Sequence, residues 1–215
     1  FKDALEYNFD KLKRTYGYHK LGREYRLYLP LYKGLSGLEI GVPSDSKFTP
    51  LPNMQEKPIV VYGTSIAQGA CASRPGMAWT NILSRKLDRP VINLGFSGNG
   101  RLEPELIDLI KEIDAKVYVL DCLPNMTTER FSAPDLQKRI IEAVRSIRAK
   151  HPKTPILLTE HAGYSEGFMV PTRQTFYQEA NLSLQTAVDQ LKLDRVPALY
   201  TLTFADINFD LDATV

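Results

Sequence analysis

The chain has 215 residues, 43% of them hydrophobic, with 27 Lys and Arg against 25 Asp and Glu for a formal charge of +2. That length suits one large domain, or a domain of about 150 residues with an appendage, and the apolar content is enough for a sizeable core. The near-neutral charge excludes the electrostatic footprint of a nucleic-acid binder, and no apolar run approaches the roughly 20 residues that span a bilayer.

Phe1-Lys-Asp-Ala-Leu-Glu does not read as a basic segment leading into an apolar signal. The two cysteines, Cys71 and Cys122, make neither a disulfide framework nor a zinc pattern, so no metal or cofactor is expected. Residues 1–52 are rich in tyrosine. Glu24 to Leu29 and Gly37 to Val42 alternate polar and apolar side chains, the period of half-buried strands. We expect a small, partial N-terminal β domain over 1–52. A Pro- and Ser-rich stretch from Pro43 leads into a linker at 53–57.

From Pro58 the pattern changes. Ile59 to Tyr62 is a short apolar run rich in β-branched residues, as a strand buried on both faces reads. It stops at Gly63, and Ser65 follows two positions later. An amphipathic helix over 78–87, a strand over 90–94 and a helix over 102–113 come next, the last with Leu102, Leu106, Leu109, Ile110 and Ile113 on one face. A strand at 116–121, a helix at 134–150, a strand at 155–159, a helix at 171–192 and a strand at 196–203 complete the alternation. Strands alternating with helices predict right-handed crossovers and an α/β fold, a parallel sheet covered on both faces. Flavodoxin-like order 2-1-3-4-5 would place the first strand where the order reverses, the usual ligand crevice.

In such a sheet the carboxyl ends of the strands share one rim. Gly63-Thr64-Ser65, Gly95-Phe-Ser-Gly98-Asn-Gly100, Asp121-Cys-Leu-Pro-Asn125 and Glu160-His161-Ala-Gly163 therefore converge. A hydroxyl, a glycine-rich turn, an amide and an imidazole are what acyl transfer needs: a nucleophile, oxyanion donors and a base. Each has a plainer reading, and Ser65 in particular could simply cap the next helix. Rival motifs fail. Gly95 to Gly100 has its glycines in the wrong order for a dinucleotide fingerprint and follows the wrong strand, and no Gly-Lys-Ser/Thr exists for a P-loop. Ala67 breaks the Gly-x-Ser-x-Gly elbow.

These residues resemble the SGNH (GDSL-type) hydrolases. The family's strand followed by Gly-Asp-Ser stands here as Tyr62-Gly63-Thr64-Ser65, with threonine for aspartate. Its Asn-x-x-x-Ser-Gly block is matched by Asn93-Leu-Gly-Phe-Ser97-Gly98, and Asp121 to Asn125 occupies the place of its Gly-x-Asn-Asp. The resemblance implies Ser65 as nucleophile with its own N–H in the oxyanion hole, Gly98 as a second N–H donor and Asn125 as a side-chain donor. It is closest to the branch with an N-terminal β-sandwich, many of whose members are esterases acting on acylated carbohydrates in secreted or periplasmic settings. The expected substrate is therefore an acetyl or other short acyl ester on a carbohydrate or small molecule. Transacylation, lysophospholipid hydrolysis or a non-catalytic carbohydrate-binding role are the alternatives.

His161, Tyr164 and Phe168 are expected near the substrate, the two aromatics as walls on the loop Ala162 to Val170. The family's base is a histidine in an Asp-x-x-His pair after the fifth strand. No histidine follows His161, so the pair is expected to begin within about ten residues beyond Val215, in a parent chain that extends at both ends. The competing expectation makes His161 itself the base, oriented by Glu160 or another carboxylate on the rim.

Overall fold

A computed structural model of the chain describes residues 25–52, 54–167 and 169–207. Its contacts divide the chain into two units, 1–54 and 55–215. In the first, none of residues 25–52 forms a strand, so the expected strands at 24–29 and 37–42 are absent among the described residues. Alternation specifies which side chains share a face; only pairing with a neighbouring backbone makes a strand. Two short strands are marginal without a further sheet to pair with. Tyr25, Leu27, Leu29, Leu38 and Ile40 are all exposed.

The second unit is an α/β sandwich. Five strands, β1 (Ile59–Gly63), β2 (Val91–Gly95), β3 (Val117–Asp121), β4 (Ile156–Thr159) and β5 (Leu199–Leu202), form one sheet in the order 2-1-3-4-5. Every pairing is parallel. The helices are α1 (Ser65–Gln68), α2 (Trp79–Leu87), α3 (Pro104–Ile110), α4 (Ala133–Lys150), α5 (Pro171–Leu193) and α6 (Phe204–Ile207).

Successive strand residues face opposite sides, which divides the core in two. Val60, Tyr62, Tyr118, Leu120, Ile156 and Leu158 pack with Ile107 and Ile110 of α3, with Leu136, Ile140, Val144 and Ile147 of α4, and with Leu184, Val188 and Leu191 of α5. Ile59, Val61 and Val119 pack with Ala67 of α1 and with Trp79 and Leu83 of α2. Burying each large aliphatic side chain in these layers contributes on the order of 2 kcal/mol. Among the described residues no helix is long and apolar enough to cross a membrane.

Three boundaries differ from the sequence reading by two residues or more. The helix expected from Leu102 begins at Pro104, because Leu102 has a left-handed backbone (φ 55°) and proline suits the first helical position. The same helix stops at Ile110, and Leu109, expected on the buried face, is 66% exposed. The last strand starts at Leu199 rather than Val196, since Arg195 and Ala198 are left-handed and Pro197 has no N–H to pair.

Candidate active site

Ser65 stands at the first position of α1, directly after β1, and is half-buried. The helix is capped by Thr64, whose hydroxyl accepts from Ile66 N–H at 3.3 Å. Thr64 is fully buried. The capping role that would have accounted for Ser65 in plain structural terms thus belongs to its neighbour. Gly69, left-handed at φ 103°, closes the single turn by donating to Ser65 O at 3.1 Å.

The glycine-rich turn after β2 lies directly against the turn that carries Ser65. Phe96 N–H donates to Gly63 O at 2.9 Å, and Ser97 N–H donates to the Gln68 side chain at 3.0 Å. A Cβ on Gly100, which also has φ of 72°, would collide with the Gly63 carbonyl, so only glycine permits the approach. Asn93 fixes the other side of α1. Its amide donates to Ala67 O and to the Thr80 hydroxyl, both at 2.9 Å, and its carbonyl accepts from Gly95 N–H.

Asn125 ends a single 3₁₀ turn, Leu123–Asn125, after β3. Its amide donates to Asn99 O at 2.5 Å. A carbonyl accepts and cannot donate, so this bond sets which end of the Asn125 amide is nitrogen. It occupies one of the two amide hydrogens. Gly98 is exposed, left-handed at φ 72°, and has open space where a side chain would stand. The turns that carry Ser65, Gly98 and Asn125 are therefore linked through Gly63–Gly100 packing and the Asn99–Asn125 bond, although 60 positions separate the first residue from the last.

His161 follows β4 and is only 1% exposed. Its backbone is clamped by the Asn181 side chain of α5, which accepts from His161 N–H at 2.7 Å and donates to His161 O at 3.1 Å. Nδ1 accepts from Gly163 N–H at 2.9 Å, so the neutral ring carries its proton on Nε2, which is buried and has no partner among the described residues. The ring lies under Tyr164, edge-on at 4.6 Å, and against Tyr177 at 5.4 Å. In this arrangement it has no lone pair available for a serine proton. Burial lowers its pKa to about 4. Tyr164 is half-buried and has the Arg173 guanidinium over its ring at 5.4 Å. Phe168 lies outside the described residues.

Glu160, the carboxylate weighed as an orienter for His161, turns elsewhere. It accepts from Gln185 and from Phe204 N–H, each at 2.6 Å, and so holds the start of α6.

Burial also raises Asp121, at the end of β3, to about 6. The two shifts oppose each other. Between about pH 6.5 and 4 the unfolded chain takes up the His161 proton more readily, so that group's contribution is lost as pH falls. Between about pH 6 and 3.8 the folded chain holds the Asp121 proton more tightly, so that group's contribution grows as pH falls. Each is worth at most about 3 kcal/mol. Asp121→Asn should therefore become more stable than the parent as pH rises from 3.8 to 6. Urea midpoints measured across that range check this, and a constant gap between the two proteins would show that Asp121 does not titrate abnormally.

The model of the GDSL-like lipase/acylhydrolase family matches residues 56–215, and that for the N-terminus of SGNH-hydrolase-type esterases matches residues 1–48. The chain belongs to the GDSL-like lipase/acylhydrolase family. A crystal structure from Bacteroides ovatus, described as a GDSL-like lipase, is 38% identical with a TM-score of 0.80, covering 87% of this chain and 54% of its own.

At 19% identity and a TM-score of 0.66, the salicylyl-acyltransferase SsfX3 of a tetracycline biosynthetic pathway shares the fold over 75% of this chain and 47% of its own. A family two carbohydrate esterase from Clostridium thermocellum, solved with cellohexaose, shares it at 15% identity and a TM-score of 0.58, over 74% of this chain and 57% of its own. The chain thus spans about half the length of the first two of these solved proteins. No curated protein matches it in sequence. Family membership agrees with the resemblance read from the sequence.

Proposed function

We propose that this chain carries the nucleophile and oxyanion donors of a serine esterase that removes acetyl or another short acyl group from a carbohydrate hydroxyl. The carrying observation is the division of labour at the first turn. Thr64 caps α1, which leaves Ser65 beside a left-handed glycine turn whose Gly98 faces open space. Ser65 Oγ would attack the ester carbonyl carbon and lose its proton to a base, and the carbonyl oxygen would gather charge facing Gly98 N–H, Ser65 N–H and the second hydrogen of Asn125. Collapse expels the alcohol with a proton, and water repeats the sequence to release the acid and free Ser65. His161, buried and protonated on Nε2, is assigned to packing under Tyr164 rather than to the base.

The carbohydrate preference rests on the branch that residues 1–48 match and on the fold shared with a carbohydrate esterase. The fold shared with an acyltransferase favours a second reading, in which an alcohol replaces water in the last step. Both are separated by one experiment on the full natural chain. Acetate release from acetylated xylan, with p-nitrophenyl acetate as a general acyl donor, is expected. Release from p-nitrophenyl acetate that depends on an added alcohol supports transfer, and no turnover of either substrate sinks the enzyme reading.

A further inference from the structure

The turn after β2 is exposed and glycine-rich, which ordinarily means conformational freedom, yet an oxyanion donor must be in place before charge develops. Asn99 N–H donates to Phe96 O at 3.0 Å and closes a four-residue turn. Gly98, its third residue, is left-handed and Ser97, its second, is not, which makes the turn type II. The same closing bond suits type I, in which the central Ser97–Gly98 peptide is turned over. Glycine accepts either sign of φ, and no neighbour stands where a Gly98 side chain would be. Neither the closing bond nor crowding therefore selects between the two. That central peptide carries the Gly98 N–H assigned to the oxyanion.

The other peptides of the turn are held from outside it. Phe96 N–H donates to Gly63 O at 2.9 Å, and Ser97 N–H to the Gln68 side chain at 3.0 Å. Gly98 O accepts from Arg101 Nη2 at 2.6 Å. Arg101 is tied in turn by its own N–H to the Glu103 carboxylate, which also takes the Tyr62 hydroxyl. Among the described residues the Ser97–Gly98 peptide has a single hold, the Asn99 side-chain amide, which donates to Ser97 O at 3.3 Å. Gly98 N–H has no acceptor among the described residues.

We infer that Asn99 is a positioning residue for the reaction: its side chain holds Ser97 O and so fixes the direction in which Gly98 N–H waits for the oxyanion. The inference rests on the esterase reading above. In a trans peptide the carbonyl and the N–H point opposite ways, so a donor on one end sets the other. Turning the peptide over would break this bond and put a carbonyl, which repels developing negative charge, where the N–H had stood. The backbone of the same residue serves another donor, since Asn99 O accepts from Asn125 Nδ2 at 2.5 Å. One residue thus sets Gly98 N–H through its side chain and the Asn125 amide through its carbonyl. Asn99 is exposed, so truncating it removes a hydrogen bond and no core packing, and leaves the carbonyl that Asn125 uses.

The test is the rate at which an alkyl fluorophosphonate inactivates the full natural chain. Ser65 Oγ bonds to phosphorus as fluoride leaves and the hydroxyl proton passes to the base, while the phosphoryl oxygen occupies the oxyanion site. Asn99→Ala should lower the limiting inactivation rate about threefold to tenfold, the worth of one neutral hydrogen bond, with the half-saturating concentration and the thermal midpoint unchanged. Asn99→Asp keeps the shape but presents only acceptors to Ser97 O, and should be no faster than the alanine variant. An unchanged limiting rate in Asn99→Ala overturns the inference. So does a change confined to half-saturation, which would make Asn99 a substrate contact, and so does a full rate in Asn99→Asp, which would mean that shape alone suffices. A parent chain that is never labelled refutes the esterase reading beneath it as well, whereas a labelled parent with an indifferent Asn99→Ala refutes this inference alone.

Discussion

Ser65→Ala is expected to abolish fluorophosphonate labelling completely while leaving the folding free energy within about 0.5 kcal/mol of the parent. The second half of that expectation comes from the first turn. Alanine is the best helix former, and the hydroxyl that satisfies an orphan N–H of α1 is on Thr64, not on Ser65. Removing the Ser65 hydroxyl therefore removes chemistry without removing a cap. Labelling that persists in Ser65→Ala would place the reactive group elsewhere. Loss of both label and fold would make Ser65 a structural residue.

Asn125→Ala should lower kcat by about a hundredfold or more, the usual cost of deleting one oxyanion donor, roughly 2.7–4 kcal/mol in the transition state. Its Nδ2 already donates to Asn99 O, so the amide is oriented before any substrate arrives. Preorganisation of this kind acts on kcat rather than on KM. Asn125→Asp is the sharper comparison, because it keeps the shape but presents only acceptors to Asn99 O and to the developing oxyanion. It should be at least as impaired as the alanine variant. Steady-state kinetics on p-nitrophenyl acetate decide, and an unchanged kcat in Asn125→Ala removes the residue from the site.

Much of this was legible without coordinates because buried parallel strands write themselves plainly. The five apolar runs became the five strands, the order 2-1-3-4-5 followed, and the residues after each strand met on one rim. The three motif blocks could be read for the same reason: each is local, a few residues on a strand end. The N-terminal alternation failed because a strand is a property of two backbones, and no pairing partner is written into the period of one. Leu109 failed because Ile107 and Ile110 define the buried face of α3, and at about 100° per residue Leu109 lies well round the helix from both.

His161 shows the limit most clearly. Its place after β4 was evident, and with it a position on the rim. Its backbone is clamped by Asn181, twenty residues later on α5, and the proton on Nε2 follows from Gly163 N–H at Nδ1. The Tyr62–Glu103–Arg101 chain likewise joins a strand to a loop 41 positions away, and no motif records it.

By itself, then, the order of residues determined the sheet, its topology and which turns share an edge, since hydrophobic period and strand-helix alternation are local and redundant. Tertiary structure alone decided which hydroxyl caps α1, which way the His161 ring carries its proton and what grips the Gly98 carbonyl. Those choices rest on bonds that join groups only two or three positions apart, but several groups in each turn could make them, and only the packed backbone shows which one does.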